Sequence, residues 1–435
     1  MSLPPQFETL EPKAMSEWNV EFTNYNGDSM EMSPIIDQLS IFESIFNNCM
    51  FGNMKLRDGT GFVEAQGIVG SGEEKVLFEI LTEKATTIET KTNNLEKEFR
   101  INSITNGVRN DKFTTYDVGI CSPYLYVNNM KKISRSYMKM TATEIVDHIG
   151  AEILKFGTMG DWTDLKTTPS KHTKDIVVPN WNPLQLINFL SKNAVSAEGS
   201  SNYLFFENND GFKFTTIDDL KKEDVKRVYT LKDRPVQHHH VPGKITVDAS
   251  MMENYMAQQM FDISKGQMNG QYATSVLTHN MLKKKLDKYE LEYDAEKHKG
   301  FAEGIGLNGP PGKPFKDFNT EQHTGFMSSN YMYDIHHLGD NSHYPWYDMK
   351  RAELRTNTVK FDIPGDSNLF AGDMVALIIA TDLRTQDEQE NQFMTGNWLV
   401  TAIHHKINND GYVCTVECMK DGFFADPDSI LPARK

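Results

Sequence analysis

The stretch GNWLVTAIHHKINNDGYVCTVECMKDG, residues 396 to 422, carries β-branched and aromatic residues on both sides of Asn-Asn-Asp-Gly. Two such runs around a short polar turn predict a β-hairpin. The same stretch holds the densest group of metal-ligand side chains in the chain, which are His404, His405, Cys414 and Cys418. It therefore decides both the fold of this region and whether the region has chemistry.

These four side chains are not expected to share a metal ion. Neighbouring side chains on a strand point to opposite faces, so His404 and His405 cannot converge on one ion. Cys414 and Cys418 are expected roughly 13 Å apart at about 3.3 Å per residue, whereas zinc needs each sulfur at about 2.3 Å. The hairpin is therefore predicted to be structural, with no metal, no cofactor and no catalytic residue.

An earlier part of the sequence repeats the pattern of this hairpin and of the strand before it. Residues 71–82 place a turn with Gly and an acid before an apolar strand, and so do residues 371–381. The next strand begins 27 positions after Gly72 in the first copy and 26 positions after Gly372 in the second. Both copies then run strand, polar turn, strand. This self-similarity predicts an internal duplication of one small β-barrel.

Length and composition indicate a globular protein of several domains. The chain has 435 residues, of which 39% are hydrophobic and 11% aromatic, enough to build substantial cores. Its four cysteines are too sparse for a disulfide framework, which favours synthesis in a reducing compartment. We find no signal sequence and no apolar run of membrane-spanning length, and we expect a soluble protein. A formal charge of -15 disfavours binding to nucleic acid through phosphate contacts.

The spacing of apolar residues divides the chain into a strand-rich start, a middle with helices, and a strand-rich end. The predicted segments are a first β-barrel (1–125), a mixed α/β domain (126–235), the start of a second barrel (236–297), a loop-rich insertion (298–345) and the remainder of the second barrel with a C-terminal tail (346–435). The fold class is therefore mainly β with an α/β portion.

Two helices and one hairpin are predicted in the mixed domain. Thr141 and Glu144 have the spacing of a capping box before the apolar residues Ile145, Ile149 and Ile153. A second helix is expected at WNPLQLINFLSKNAV, where Asn182 can cap and Pro183 takes the first helical position. The stretch YLFFENNDGFKFTTID, from residue 203, predicts a hairpin around Asn-Asn-Asp-Gly.

Two further segments have a clear period. Met252, Tyr255, Met256 and Met260 recur at helical spacing, which favours a helix with a buried methionine face rather than a cofactor site. The stretch KYELEYD, from residue 288, alternates aromatic and apolar residues with charged ones and predicts a strand.

With these elements in place, the sequence resembles the baseplate hub proteins of contractile-tailed bacteriophages, and more distantly the hub part of type VI secretion spike proteins. The resemblance covers most of the chain and is strongest after Thr356, with 298–345 unmatched. The stretches that carry it are FDIPGDSNLFAGDMVAL (361–377), NWLVTAIHHKINNDGYVCTVECMKDG (397–422), VVPNWNPLQLINFLSKNA (177–194) and YLFFENNDGFKFTTIDDL (203–220).

The resemblance implies an architecture and a set of partners. It implies two tail-tube-like β-barrels separated by a mixed α/β domain, and a homotrimer whose six barrels form a pseudo-sixfold ring. The sixfold tail tube would dock on one face, the threefold central spike on the other, and other baseplate proteins around it. DNA would pass through without specific binding. The expected location is the baseplate of the virion tail, assembled in the host cytoplasm.

The rival classes are a tail-associated cell-wall-degrading enzyme and a carbohydrate-binding tail component. His238 and His240 have a spacing known from zinc peptidases, but they lie in a stretch typical of a linker. The loop before Lys313 is a poor phosphate loop, because Pro314 follows the lysine and no strand precedes the loop. Three further histidines are expected to be solvated, namely His336, His337 and His343. The sequence therefore favours a structural protein over an enzyme.

Overall fold

The first part of the chain is a series of strands closed by polar turns. A computed structural model describes residues 15–65, 68, 70–82, 93–156, 165–231, 251–259, 262–268, 274–280, 284–291, 323–328, 343–379, 394–408 and 411–421. Its first strands and helix are β1 (Met15–Thr23), β2 (Ser29–Glu31), β3 (Ile36–Ser44), β4 (Phe51–Asp58), α1 (Phe62–Ala65), β5 (Lys75–Thr82), β6 (Asn93–Arg109) and β7 (Thr114–Cys121). Buried and exposed residues alternate along β4, as expected of a sheet with one face on the core.

The middle of the chain mixes helices with short strands. Its elements are α2 (Pro123–Met130), β8 (Ile133–Thr141), α3 (Ala142–His148), β9 (Leu165–Thr167), β10 (Thr173–Trp181), α4 (Pro183–Asn193), β11 (Tyr203–Asn208), β12 (Gly211–Thr216) and α5 (Ile217–Lys221). Strands β8 and β10 form one small sheet, and β9, β11 and β12 form another.

Strands again dominate the last part of the chain. The elements are β13 (Val225–Leu231), β14 (Glu253–Gln259), α6 (Ile263–Met268), β15 (Thr274–Asn280), β16 (Lys285–Leu291), β17 (His323–Ser328), α7 (His343–Leu354), β18 (Asn357–Pro364), β19 (Met374–Ile379), β20 (Gly396–Asn408) and β21 (Gly411–Lys420). Within the described ranges, no helix is long and apolar enough to cross a membrane.

Thirteen strands from both ends of the chain form one sheet. Its order is β14-β18-β21-β20-β3-β4-β7-β6-β5-β1-β2, with β19 also beside β20 and β13 beside β19. The two ends of the chain meet where β3 pairs antiparallel with β20. This contact joins residues more than 350 positions apart, so local sequence pattern does not specify it.

The same strand order occurs twice within this sheet. The order β3-β4-β7-β6-β5-β1 corresponds to β14-β18-β21-β20-β19-β13. We call the first five strands of each set the N-terminal repeat and the C-terminal repeat. Both repeats carry a β-bulge at the same place, between Ile101 and Ser103 on β6 and between Val400 and Ala402 on β20. The sets differ at their ends, because β1 is antiparallel to β5 whereas β13 is parallel to β19.

The buried apolar side chains of the described residues form three clusters. The largest lies under the thirteen-stranded sheet and contains Phe99 and Trp398, which take the same place in the two repeats and are both fully buried. A second cluster lies within the middle elements, from Tyr124 to Phe214. A third joins β11 and α5 to the C-terminal repeat through residues such as Phe206 and Leu399. The middle elements therefore pack directly on the sheet.

Most of the predicted elements in the middle are confirmed. Thr141 and Glu144 form the predicted capping box of α3, and a π-helical turn over Ile149–Leu154 extends the helix. Asn182 precedes α4 as predicted, but its side chain makes no capping hydrogen bond. The Oδ1 of Asn128 accepts from the Leu184 amide at 2.8 Å instead. The predicted hairpins are β11–β12 and β20–β21. The strand predicted at residues 288–294 is confirmed as β16 up to Leu291, and its remaining residues lie outside the described ranges.

The helix predicted from the methionine spacing is wrong, because Glu253–Gln259 is the strand β14. Met252 is buried, whereas Met256 is 49% exposed, and Met260 lies outside the described residues. An edge strand with most side chains in solvent has no strict alternation, so its sequence is compatible with either period.

Two other expectations change with the structure. The strand β13 falls inside the predicted mixed domain, yet it pairs with β19 in the large sheet. The predicted loop-rich insertion contains β17, which pairs parallel with β15, and the start of α7 at His343. Long-range strand pairing produces both differences, and it leaves no trace in local composition. The described ranges do not include Lys313, Pro314, His336 and His337 of the insertion, nor His238 and His240.

Candidate functional site at the junction of the two repeats

Several buried polar groups of the described residues lie where β3 meets β20. His404 and His405 point to opposite faces, as predicted. His404 stacks on Phe42 with 4.3 Å between ring centroids, whereas His405 is fully buried. The two cysteines of the hairpin are also buried.

His405 and Cys414 come together, contrary to the expectation that the hairpin directs all its ligand-type side chains apart. The two residues are directly opposite each other on β20 and β21. His405 Nδ1 lies 3.3 Å from Cys414 Sγ and 2.7 Å from the Tyr412 hydroxyl. The prediction considered separation along each strand, but cross-strand neighbours are only about 4.5–5.5 Å apart at Cβ. A prediction of which residues pair across the hairpin would have identified this contact.

Glu43 also belongs to this cluster, although it was not predicted from the sequence as a site residue. It is 1% exposed and comes from β3. Its Oε1 lies 3.7 Å from His405 Nε2, an ion-pair distance rather than a hydrogen bond. The same carboxylate accepts from the Asn209 amide at 3.2 Å and from the Ala371 amide at 3.1 Å. Glu43 thus ties the N-terminal repeat to the middle hairpin and to the C-terminal repeat.

The charge of His405 depends on its neighbours. Burial alone would lower the pKa of His405, whereas Cys414 and Glu43 raise it, to about 10. In the protonated form Nδ1–H donates to the Tyr412 hydroxyl. The imidazolium then offsets the buried carboxylate across the junction, an electrostatic role that requires no substrate.

A second buried ion pair anchors the tip of the β11–β12 hairpin. Lys97 Nζ lies 3.0 Å from Glu207 Oε1, with the two side chains 5% and 0% exposed. Lys97 also donates to the Asn208 carbonyl at 3.0 Å, and Glu207 accepts from the Met50 amide at 3.0 Å. Asn208 Nδ2 donates to the Ala371 carbonyl at 2.9 Å. The hairpin tip is therefore hydrogen-bonded to β6 of the N-terminal repeat and to the turn that precedes β19 of the C-terminal repeat.

An open cleft beside this hairpin tip is lined by several carboxylates. It measures about 670 Å³ and is lined by the middle hairpin, the start of β13 and the turn before β19. Two of its carboxylates are engaged by lysines, since Asp210 pairs with Lys166 and Asp373 pairs with Lys226, whereas burial raises the pKa of a third, Glu223. For Asp210 and Asp373, the charge pairing favours a structural role over general acid–base work, which needs a carboxyl group free to exchange a proton with substrate.

We expect the purified protein to contain well under one zinc ion per chain. Among the residues that the structure describes, no group of three or more His, Cys, Asp and Glu side chains has a metal-binding arrangement. Elemental analysis of the wild type and of Cys414→Ser measures this directly. About one zinc per chain in the wild type, lost in Cys414→Ser, would contradict the structural assignment of the hairpin.

No protein-family model matches this chain. A curated sequence, the probable baseplate hub protein gp334 of Vibrio phage KVP40, is 20% identical over 407 residues, which cover 89% of this chain and 90% of the phage protein.

Two solved structures share the fold over nearly their whole length. A tail protein from Neisseria meningitidis MC58 superposes with a TM-score of 0.54 at 7% identity, covering 94% of this chain and 98% of its own. The 43 kDa tail protein of prophage MuSo2 from Shewanella oneidensis gives a TM-score of 0.52 at 9% identity, covering 92% and 98%. The similarity to the Vibrio phage protein confirms the resemblance to baseplate hub proteins of bacteriophages that was predicted from the sequence.

Proposed function

We propose that this chain is a structural subunit of the baseplate hub of a contractile phage tail. The observation that carries the proposal is the strand order that occurs twice within one continuous sheet. A subunit with two equivalent halves can present nearly the same contacts twice, which is what an adaptor between two symmetries needs. The relative from Vibrio phage KVP40, similar over almost the full length of both chains, supports the same role.

In the proposed assembly, three chains form a ring and each contributes two β-barrels. The six barrels then match a sixfold tail tube on one face, while the threefold chain symmetry matches a central spike on the other. Other baseplate proteins would pack around the ring, and the genome would pass through its centre. The ring would form in the host cytoplasm and function in the virion. Because the task is mechanical, no catalytic residue is required.

Light scattering coupled to size exclusion tests the ring. We expect a mass near three chains at high protein concentration, with images of the particle placing the chain between tube and spike. A stable dimer would contradict the threefold arrangement. A zymogram on peptidoglycan and a glycan array test the two rival classes, and cleared peptidoglycan or a specific glycan signal would favour an enzyme or a carbohydrate-binding component.

We expect the protein not to be retained on a DNA column at physiological salt. The formal charge of -15 gives a net repulsion from phosphates, and an acidic channel wall would let DNA slide instead of trapping it. We therefore place the excess negative charge toward the channel. Tight retention that weakens steeply as salt is raised would contradict this arrangement.

A further inference from the structure

One edge of the sheet is paired in the C-terminal repeat and open in the N-terminal repeat. On β20, residues 396–399 pair with β19, and residues 402–408 pair with β3 along the same edge. On β6, residues 93–100 pair with β5 in the equivalent way. The following residues, 103–109, pair with β7 on one side. Among the described strands, none pairs with their other side.

The exposure of the side chains follows this difference. Ile403, His405 and Ile407 of β20 are at most 1% exposed. In the equivalent part of β6, Val108 is 55% exposed and its neighbours are also exposed. An open edge with an exposed apolar side chain is a site for pairing with another strand.

The complementary edge is on β14. This strand takes the place of β3 in the C-terminal repeat, and among the described strands it pairs only with β18. Met256, in the middle of β14, is 49% exposed. The chain thus carries one open edge that resembles the seat of β3 and one open strand that resembles β3.

We propose that β14 of a second copy of this chain pairs antiparallel with residues 103–109 of β6. This contact between two chains would have the same antiparallel strand pairing that β3 and β20 have within one chain. The inference rests on the proposed ring and adds the strand contact that would close it. Because the two surfaces are different, the contact is head-to-tail, and such contacts close into rings when the rotation per copy allows it.

The internal contact fixes the register of the proposed one. Directly after the bulge, one row of paired residues reads Ser103, Gly119, Asn53, Ser40 across the N-terminal repeat. The corresponding row across the C-terminal repeat reads Ala402, Glu417, Lys360, Met256. Met256 therefore takes the place of Ser40.

The position of Val108 follows from the same register. Val108 pairs with Thr115, four residues before Gly119, and Lys406 pairs with Val413, four residues before Glu417. Val108 therefore takes the place of Lys406. Since Lys406 pairs with Ser40 within the chain, Val108 is expected directly opposite Met256 of the next copy. The register thus brings together two of the large apolar side chains that are exposed in the single chain.

Disulfide cross-linking tests this register. In the double variant V108C/M256C, mild oxidation is expected to join chains into covalent multimers that a reductant dissolves. The control is V108C/A257C, in which the second cysteine lies on the opposite face of β14 and is not expected to cross-link. Unchanged single chains in V108C/M256C, or equal cross-linking in both variants, would overturn the proposal.

A charge series gives a second measurement. V108E/M256E puts like charges directly opposite each other and is expected to lower the mass in light scattering to one chain, whereas V108K/M256E is expected to restore the multimer. The matched control is Met138→Glu, at an exposed methionine on β8, which is expected to leave the multimer intact. If V108E/M256E kept the wild-type mass, the proposed contact would be wrong.

The outcomes separate this contact from the proposed function. A mass of three chains without the V108C/M256C cross-link would overturn the strand contact and leave the hub role standing. A cross-link in a protein that clears peptidoglycan would keep the contact and remove the hub role as the main function.

Discussion

Glu43→Ala is expected to lower the free energy of unfolding by about 3–5 kcal/mol, as the loss of one partner from a buried ion pair typically does. The substitution leaves the Asn209 and Ala371 amides without their acceptor and leaves His405 without its counter-charge. Thermal and urea unfolding measure the loss. Because Glu43 contacts three parts of the chain, the transition is also expected to separate into more than one step.

Two matched variants serve as comparisons for Glu43→Ala. Glu43→Gln keeps an acceptor oxygen but not the charge, so its effect is expected to lie between those of the wild type and Glu43→Ala. Glu31→Ala removes an exposed carboxylate from β2 and is expected to change stability by less than about 0.5 kcal/mol. A Glu43→Ala effect as small as that of Glu31→Ala would show that the junction does not depend on this carboxylate.

Lys97→Met is expected to cost about 3–5 kcal/mol for the same reason, since it leaves Glu207 fully buried with its charge uncompensated. It also removes the donor to the Asn208 carbonyl, so the tip of the β11–β12 hairpin should lose protection first. Urea unfolding gives the overall loss, and hydrogen exchange at residues 203–216 locates it.

The control and the rescue both concern carboxylates of the β11–β12 hairpin, which are Asp210 and Glu207. Lys166→Met breaks the ion pair to Asp210, whose side chains are 56% and 38% exposed, and exposed pairs contribute at most about 1 kcal/mol. In the double variant K97M/E207Q no charge of this pair remains buried, and most of the stability should return. Equal losses in K97M and the double variant would refute the assignment of the loss to the stranded carboxylate.

The sequence by itself determined the elements whose signals are local. The capping box at Thr141 and Glu144 and the Asn-Asn-Asp-Gly turns act within a few residues, so their helix and hairpins were predicted and are confirmed. The repeat was also visible, because Gly-and-acid turns and apolar strands recur at nearly equal spacing. The order of the strands follows the order of these patterns along the chain, and the repeat therefore supported the family resemblance.

Only the tertiary structure decided which strands lie side by side. The pairing of β3 with β20 brings Glu43 to His405 across more than 350 positions, and a strand edge accepts any compatible partner, so composition does not choose among them. The strand at Met256 was predicted as a helix because an edge strand is packed on one side only and shows no alternation. The two buried ion pairs could not be predicted from the sequence for the same reason, because each joins residues from distant parts of the chain. A single acidic residue within a strand pattern is predicted to be solvent-exposed, because its partner comes from a distant part of the chain and is not known from the sequence.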